Sequence, residues 1–405
     1  MEPLEPRMLL SGGSLPLTGE MAIRWEHDIG AYIADLKSAD LNSDGLPDLI
    51  AGPSQDRVVA VDGSGAALWD GLTAGAPWYV AAGDITGDGL ADVVGMLAQS
   101  PSIVYAFDHA GQSLWEYTLP VTGSGNQVSE HIQIADIDDD GSNEIVVGAN
   151  CSGRVYAFSG NGQVEWTYDV AASAEYMGIG GLRTGDVDGD DVPDVAVCYG
   201  YSDTDPCGLV VLDGTGGVIW DYSNRERLGN VALGDLNHDG ATELVTGEWY
   251  ASRGEKLYAI DSTGTKLWEY TINGRINDVL VSDLDGDGDS EIVVSSWDNA
   301  LRVINPDGTL RWAQSLSFDV GTVALGDTDG DGNTELICAS SGGSILAYGA
   351  GGSLLWTYAL ETGGCSDLVV ADFTGDGVDD VAAADSETLY LLSRDEPAGE
   401  IRGVI

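Results

Sequence analysis

Basic side chains are scarce in this 405-residue chain: 16 Lys and Arg stand against 67 Asp and Glu, a formal net charge of −51. A field of that sign repels nucleic acid and anionic membrane surfaces, which disfavours both as partners. Histidine is rarer still, limited to His27, His109, His131 and His238, and no G-x-S-x-G elbow occurs, which leaves triad chemistry little to work with. The cysteines number five (Cys151, Cys198, Cys207, Cys338 and Cys365) and contain no C-x-x-C pair. Zinc-ribbon and thioredoxin-like sites are therefore excluded, and the odd count leaves at least one thiol outside any intramolecular disulfide. No run approaches the roughly 18 apolar residues of a membrane-spanning helix. The N-terminus has neither a basic stretch nor an apolar run of signal-peptide length, so no secretory leader is expected there.

What the chain has in abundance is Gly (57 residues), together with Asp, Val and 11 Trp. That composition favours many short strands and tight turns over helices. Two repeats run through it in one register. The first, D-x-[DNT]-x-D-G-x-x-[DE], begins at Asp40, Asp84, Asp136, Asp186, Asp235, Asp283, Asp327 and Asp372, with spacings of 44 to 52 residues. Seven copies keep Gly at the sixth position; the fourth has Asp191. The second is a Trp, usually four residues after a Gly, at Trp25, Trp69, Trp115, Trp166, Trp220, Trp268, Trp312 and Trp356. Eight alternating copies at this period predict an all-β, eight-bladed β-propeller of four-stranded antiparallel blades.

The fifth unit shows the expected blade. Residues 231–234 form strand A, the Asp loop follows, 244–246 form strand B, 256–260 strand C, 262–264 a tight hairpin and 266–270 strand D. The propeller is assigned to residues 21–394, between a tail at 1–20 and a segment at 395–405 that is either a tail or a closing strand. Because Trp25 precedes the first loop, residues 22–26 are expected to supply strand D of blade eight, with 400–404 as the competing partner. Closure of either kind removes exposed strand edges. Cys198 and Cys207 flank the longest B–C connection, and paired strands there are expected to bring them within disulfide range.

Alternate carboxylates on a tight loop converge on one centre, and hard oxygen donors select calcium over zinc or copper. An EF-hand needs a bidentate Glu at position twelve, where this chain has Ala51, Gly95, Val147, Val197, Thr246, Val294, Cys338 and Ala383. The chain enters a strand after position nine instead. That pattern resembles the FG-GAP/VCBS repeats of integrin α-chain propellers and bacterial surface proteins. The resemblance implies side-chain ligands at positions one, three, five and nine, and a backbone carbonyl at position seven. Carried onto this chain the ligands are Asp40, Asn42, Asp44 and Asp48 in loop one; Asp84, Thr86, Asp88 and Asp92 in loop two; Asp136, Asp138, Asp140 and Glu144 in loop three; and Asp186, Asp188, Asp190 and Asp194 in loop four. Loop five offers Asp235, Asn237, Asp239 and Glu243; loop six Asp283, Asp285, Asp287 and Glu291; loop seven Asp327, Asp329, Asp331 and Glu335; loop eight Asp372, Thr374, Asp376 and Asp380. Up to eight calcium ions are implied. Loops three, six and seven carry the full set, Thr86 and Thr374 weaken loops two and eight, and loop four lacks its Gly.

The A-x-D-x-x-G-x-x-x-W run, as in residues 60–69 and 259–268, is similar to the tryptophan-docking motif of quinoprotein dehydrogenases and of related propellers without a cofactor, which implies that each Trp packs between blades. The quinoprotein activity itself is disfavoured, since no Cys-Cys pair is present. Residues 4–11, LEPRMLLS, resemble the LEPR-x-LL segment of planctomycete surface proteins, which implies an extracytoplasmic, secreted or cell-surface location. Two functions remain. One is a calcium-binding interaction module, with an acidic glycan or another surface protein as partner. The other is a polysaccharide-active enzyme like the rhamnogalacturonan lyases. The D–A and B–C connections share the propeller face opposite the Asp loops. They carry the candidate ligand residues Trp78, Tyr79, His131, Tyr176, Arg225, Arg227, Trp249, Tyr250, Arg253, Arg275 and Trp297.

Overall fold

A computed structural model of the chain describes residues 21–97, 101–120, 131–149, 152–170, 178–200, 207–224, 227–248, 255–360 and 364–394. Every regular element in them is a β-strand, and no helix is long and apolar enough to cross a membrane. The strands form eight four-stranded antiparallel sheets. Seven sheets take their strands in chain order, as in blade one: Ile33–Ala39, Asp48–Pro53, Arg57–Val61 and Ala67–Leu72. The eighth is built from both ends of the described chain. Met21–Asp28 pairs antiparallel with Thr388–Arg394, beside Asp380–Ala384 and Asp367–Ala371. The N-terminal closure is thus the one formed; residues 400–404 lie outside the described residues.

In blade five the strands run Leu228–Gly234, Glu243–Glu248, Glu255–Ile260 and Lys266–Ile272, longer than the sequence pattern indicates. The extension of strand A passes a bulge between Gly229 and Val231, where Asn230 takes a φ of 38°. A bulge interrupts the two-residue alternation, so the pattern of apolar residues breaks there while pairing continues.

Eight apolar clusters make up the core, and each lies between two neighbouring blades. Strand B explains why. Its residues are buried along their whole length, from Asp48–Pro53 to Asp380–Ala384. Successive side chains of a strand point to opposite faces. Leu49 and Ala51 therefore pack towards blade eight, while Ile50 packs towards blade two. The second loop position adds to each interface. Leu41, Ile85, Ile137, Val187, Leu236, Leu284, Thr328 and Phe373 are all buried.

The Trp repeat ties the blades in sequence. Trp25, Trp69, Trp115, Trp166, Trp220, Trp268 and Trp312 each donate Nε1–H to a backbone carbonyl in the C–D hairpin of the next blade, at 2.7–2.9 Å. Each also lies on that hairpin's glycine; a Cβ on Gly111 would meet the Trp69 ring at 2.5 Å. Trp356 departs from the series. Blade eight has no C–D hairpin, because its last strand comes from the N-terminus, and Trp356 donates instead to Thr328 Oγ1 of its own blade at 3.1 Å.

The same hairpins sit against the preceding loop. An added Cβ on Gly214 would lie 1.6 Å from the carbonyl oxygen of Ile137, with no flexible side chain to yield. Gly214→Ala is expected to lower stability by about 1–3 kcal/mol. Gly351→Ala, where nothing lies within 4 Å, is the neutral control. Equal thermal melts for the two variants would show that the hairpin does not bear on the loop.

Cys198 and Cys207 form no disulfide. Strand register is the reason. Cys198 faces Leu209, so Cys207 is its diagonal neighbour, at a spacing of about 7–8 Å that exceeds the disulfide window. Cys198 instead packs at the interface with blade five, its Sγ 3.2 Å from Thr246 Oγ1.

Candidate functional site

All eight Asp loops share one backbone frame. The position-six N–H donates to the second oxygen of the first Asp at 2.8–3.1 Å in every loop. The position-five carboxylate accepts the position-seven N–H, as Asp44 does from Leu46 at 2.9 Å. This frame requires two left-handed residues. Position six is one, and Asp191 takes it in loop four with φ 70° and makes the same bond to Asp186 at 3.0 Å. The missing Gly therefore does not spoil loop four; Asp is among the few residues that tolerate this region. Position four is the other, and it is left-handed in every loop, through Gly or through Ser43, Asp139 and His238. Its chemical variety hid that requirement from the sequence reading.

Position nine differs from the other acids. Asp48, Asp92, Glu144, Asp194, Glu243, Glu291, Glu335 and Asp380 are all buried, at 0–4% exposure. Each accepts a backbone N–H from the start of its own loop, from position two in seven loops and from Thr374 in loop eight. Burial pushes all eight carboxyls upward, Asp48, Asp194 and Asp380 to about 6 and Glu144 to about 7. A buried carboxylate held beside other acids is a costly arrangement unless a cation offsets it.

In four loops the oxygens converge. Asp136, Asp138 and Glu144; Asp186, Asp188 and Asp194; Asp283, Asp285 and Glu291; and Asp327, Asp329, Asp331 and Glu335 each place one oxygen within 4.8 Å of the others. Oxygens on opposite sides of a hard cation at about 2.3–2.6 Å stand about that far apart, so donor type and spacing both fit such an ion. Loops one and five depart from this. Asn42 Nδ2 donates to Asp48 at 3.2 Å and Asn237 Nδ2 to Glu243 at 2.8 Å, so an amide rather than a cation faces the buried acid. Loops two and eight, with Thr86 and Thr374, also form no convergent group among the described residues.

The opposite face separates the aromatic and basic candidates. Trp78 is exposed and tilts against Tyr32, with ring centroids 6.3 Å apart. Tyr32 was missed by the sequence reading, although it is an aromatic residue in the connection just before strand A. Trp297 is exposed, and the Arg275 guanidinium lies 4.9 Å from the centre of its ring. Tyr79 packs instead against the core between blades two and three, and Arg227 is half-buried. His131 is buried, and its ring is pushed down to about 3 by burial and by Arg183. It therefore stays neutral and inside the fold. Tyr176, Arg225, Trp249, Tyr250 and Arg253 lie outside the described residues. The axis also carries charges that the sequence reading overlooked. Lys37 Nζ contacts Asp35 at 2.5 Å, and burial pushes Asp278 and Asp367 up to about 6.

The FG-GAP-like repeat model matches residues 29–95, 100–197 and 327–383, more than half of the chain. The chain belongs to the FG-GAP-like repeat family. Residues 250–325 match a lambda-carrageenase β-propeller domain. Solved structures show the same fold. The Vibrio cholerae biofilm matrix protein Bap1 aligns with TM-score 0.68 at 14% identity, over 94% of this chain and 92% of that one. Saccharomyces cerevisiae Sqt1 gives 0.69 at 12%, over 92% and 98%. The exotype rhamnogalacturonan lyase YesX gives 0.64 at 18%, over 94% and 75%. No curated protein matches the sequence. The Asp loops and the exposed Tyr32, Trp78 and Trp297 thus lie on opposite faces of the propeller.

Proposed function

We propose that this chain is a calcium-stabilised, extracytoplasmic propeller that binds carbohydrate on the face away from its Asp loops. Four loops supply the convergent oxygens, and calcium is the hard cation whose coordination number and flexible geometry suit them. The ion's part would be to neutralise and tie strands A and B together. The ligand reading is carried by one observation: Trp78 and Trp297 stand exposed on that face, with Tyr32 and Arg275 against them. Aromatic faces stack on sugar rings, and Arg pairs with carboxylate or sulfate groups. The names of a biofilm matrix protein, rhamnogalacturonan lyases and a carrageenase domain among the similar proteins support a polysaccharide partner. The N-terminal LEPR-x-LL resemblance supports the location.

A glycan array in calcium tests this reading. Acidic polysaccharides are expected to bind, and Trp78→Ala and Trp297→Ala to weaken binding at least tenfold with unchanged melting, about 1.4 kcal/mol per tenfold. Wild-type affinity in both variants would place the ligand elsewhere. A lyase is the second reading, favoured by the same lyase and carrageenase likenesses. Its signature is a rise in ultraviolet absorbance as unsaturated products form, whereas binding without turnover identifies a lectin-like module.

A further inference from the structure

Loop six has the full acidic set, yet it differs from the other convergent loops in one contact. Arg311, the residue before the docking Trp312 on strand D, turns its guanidinium into the loop. Nη1 donates to Glu291 Oε1 at 2.7 Å, and Nη2 donates to the Asp285 carboxylate. These are positions nine and three, two of the four side chains that the family pattern assigns to the ion. Glu291 is 1% exposed, so the pair is largely shielded from solvent on that side. A neighbouring contact acts in the same direction: His238 of loop five reaches Asp289 of loop six at 2.5 Å.

The contrast with the same strand position elsewhere is informative. Blade three has Glu165 there, and it lines one crevice with Asp140 and Glu144 of loop three. In blade eight the residue is Arg24, which donates to Ser393 rather than to its loop. In loop seven Arg394 approaches Asp329, but its hydrogen bond, at 2.8 Å, goes to the backbone carbonyl. Arg311 hydrogen-bonds two acids of one loop.

We propose that Arg311 is a built-in cation that stands in for the metal in loop six, and that a charged residue before the docking Trp tunes the demand for an ion where it reaches its loop. This inference rests on the calcium reading of the other loops. A guanidinium paired with two carboxylates satisfies charge and lone pairs together. Calcium entering loop six must displace it and leave a half-buried Arg without partners. In blade three Glu165 adds an acid to the same neighbourhood, so loop three should hold its ion most firmly.

Calcium stoichiometry, read by native mass spectrometry on metal-stripped protein titrated with calcium, tests the proposal. Arg311→Ala is expected to bind one ion more than the wild type, Arg311→Lys the same number, and Glu165→Arg one fewer. In chelator, Arg311→Ala should melt below the wild type, because loop six then has neither cation, and calcium should reverse the loss. If the wild type binds ions but Arg311→Ala gains none, Arg311 is not a substitute and the proposal is overturned while the calcium reading stands. If neither protein binds calcium, both fall. Should Arg311→Ala fail to fold, the Glu165→Arg count decides: an unchanged number overturns the proposal.

Discussion

Stripping calcium is expected to lower the melting temperature by tens of degrees or unfold the chain, and adding calcium back to restore it. Each loop joins strands A and B of one blade, so a bound ion links the two innermost strands. Without it, a buried position-nine acid faces two or three other carboxylates. A ligand that binds only the folded state stabilises by RT ln(1 + [L]/Kd), about 2.7 kcal/mol per site at a hundredfold excess. Three filled loops (three, four and seven) would then contribute about 8 kcal/mol, comparable to the roughly 5–15 kcal/mol that holds a typical domain together. Magnesium should substitute poorly, because it keeps water and demands strict octahedral geometry.

The pH dependence supplies a second readout of the same experiment. In chelator, when folded, Asp48, Asp194 and Asp380 keep their protons to about pH 6 and Glu144 to about 7, and burial shifts the other four position-nine acids in the same upward direction, whereas unfolded Asp and Glu release them near 4. Groups with a raised folded pKa stabilise below the unfolded value, and the contribution is lost as pH rises through the folded one. The metal-free protein should therefore melt higher at pH 5 than at pH 7.5. His131, whose folded pKa is depressed, acts in the other direction, but it is one group against eight. With calcium present the order reverses, since protons compete with the ion. Coincident melts in calcium and chelator at pH 7.5 would remove the loops as structural metal sites.

Deletion of residues 1–28 is expected to have the other large effect. It removes Met21–Asp28, the outer strand of blade eight, and exposes the edge of Thr388–Arg394. It also removes Trp25, which is 4% exposed in the interface between blades eight and one and donates to Gly63 O at 2.9 Å. The ring would then open between blades eight and one, while on the other side of blade eight Trp356 already lacks a hairpin to dock on. A drop of well over 10 °C, with aggregation through the bare edge, is the expected outcome, on the scale of about 2–4 °C per kcal/mol for larger domains. A deletion variant that melts with the wild type would show that another segment closes the ring.

The blade count, the loop positions and the Trp series were legible from the residues alone. Each is a local pattern repeated at a fixed spacing: an Asp followed by turn residues, a buried strand B, a hairpin glycine and a Trp four residues on. Local backbone preference and side-chain alternation recur in every copy, so eight weak signals reinforce one another. Other features depended on residues far apart in the chain. Strand register separated Cys198 from Cys207; Asp191 adopted the glycine conformation because the loop frame around it demands that φ. Tyr32 met Trp78 across two blades, and the buried position-nine acids acquired their raised pKa values only from the blades packed around them. Arg311 lies 26 residues beyond Asp285, and nothing in its own neighbourhood in the chain marks it as a partner of loop six. Repetition along the chain determined the architecture, whereas the charge state of each loop was decided by which side chains the closed ring brings within hydrogen-bonding distance.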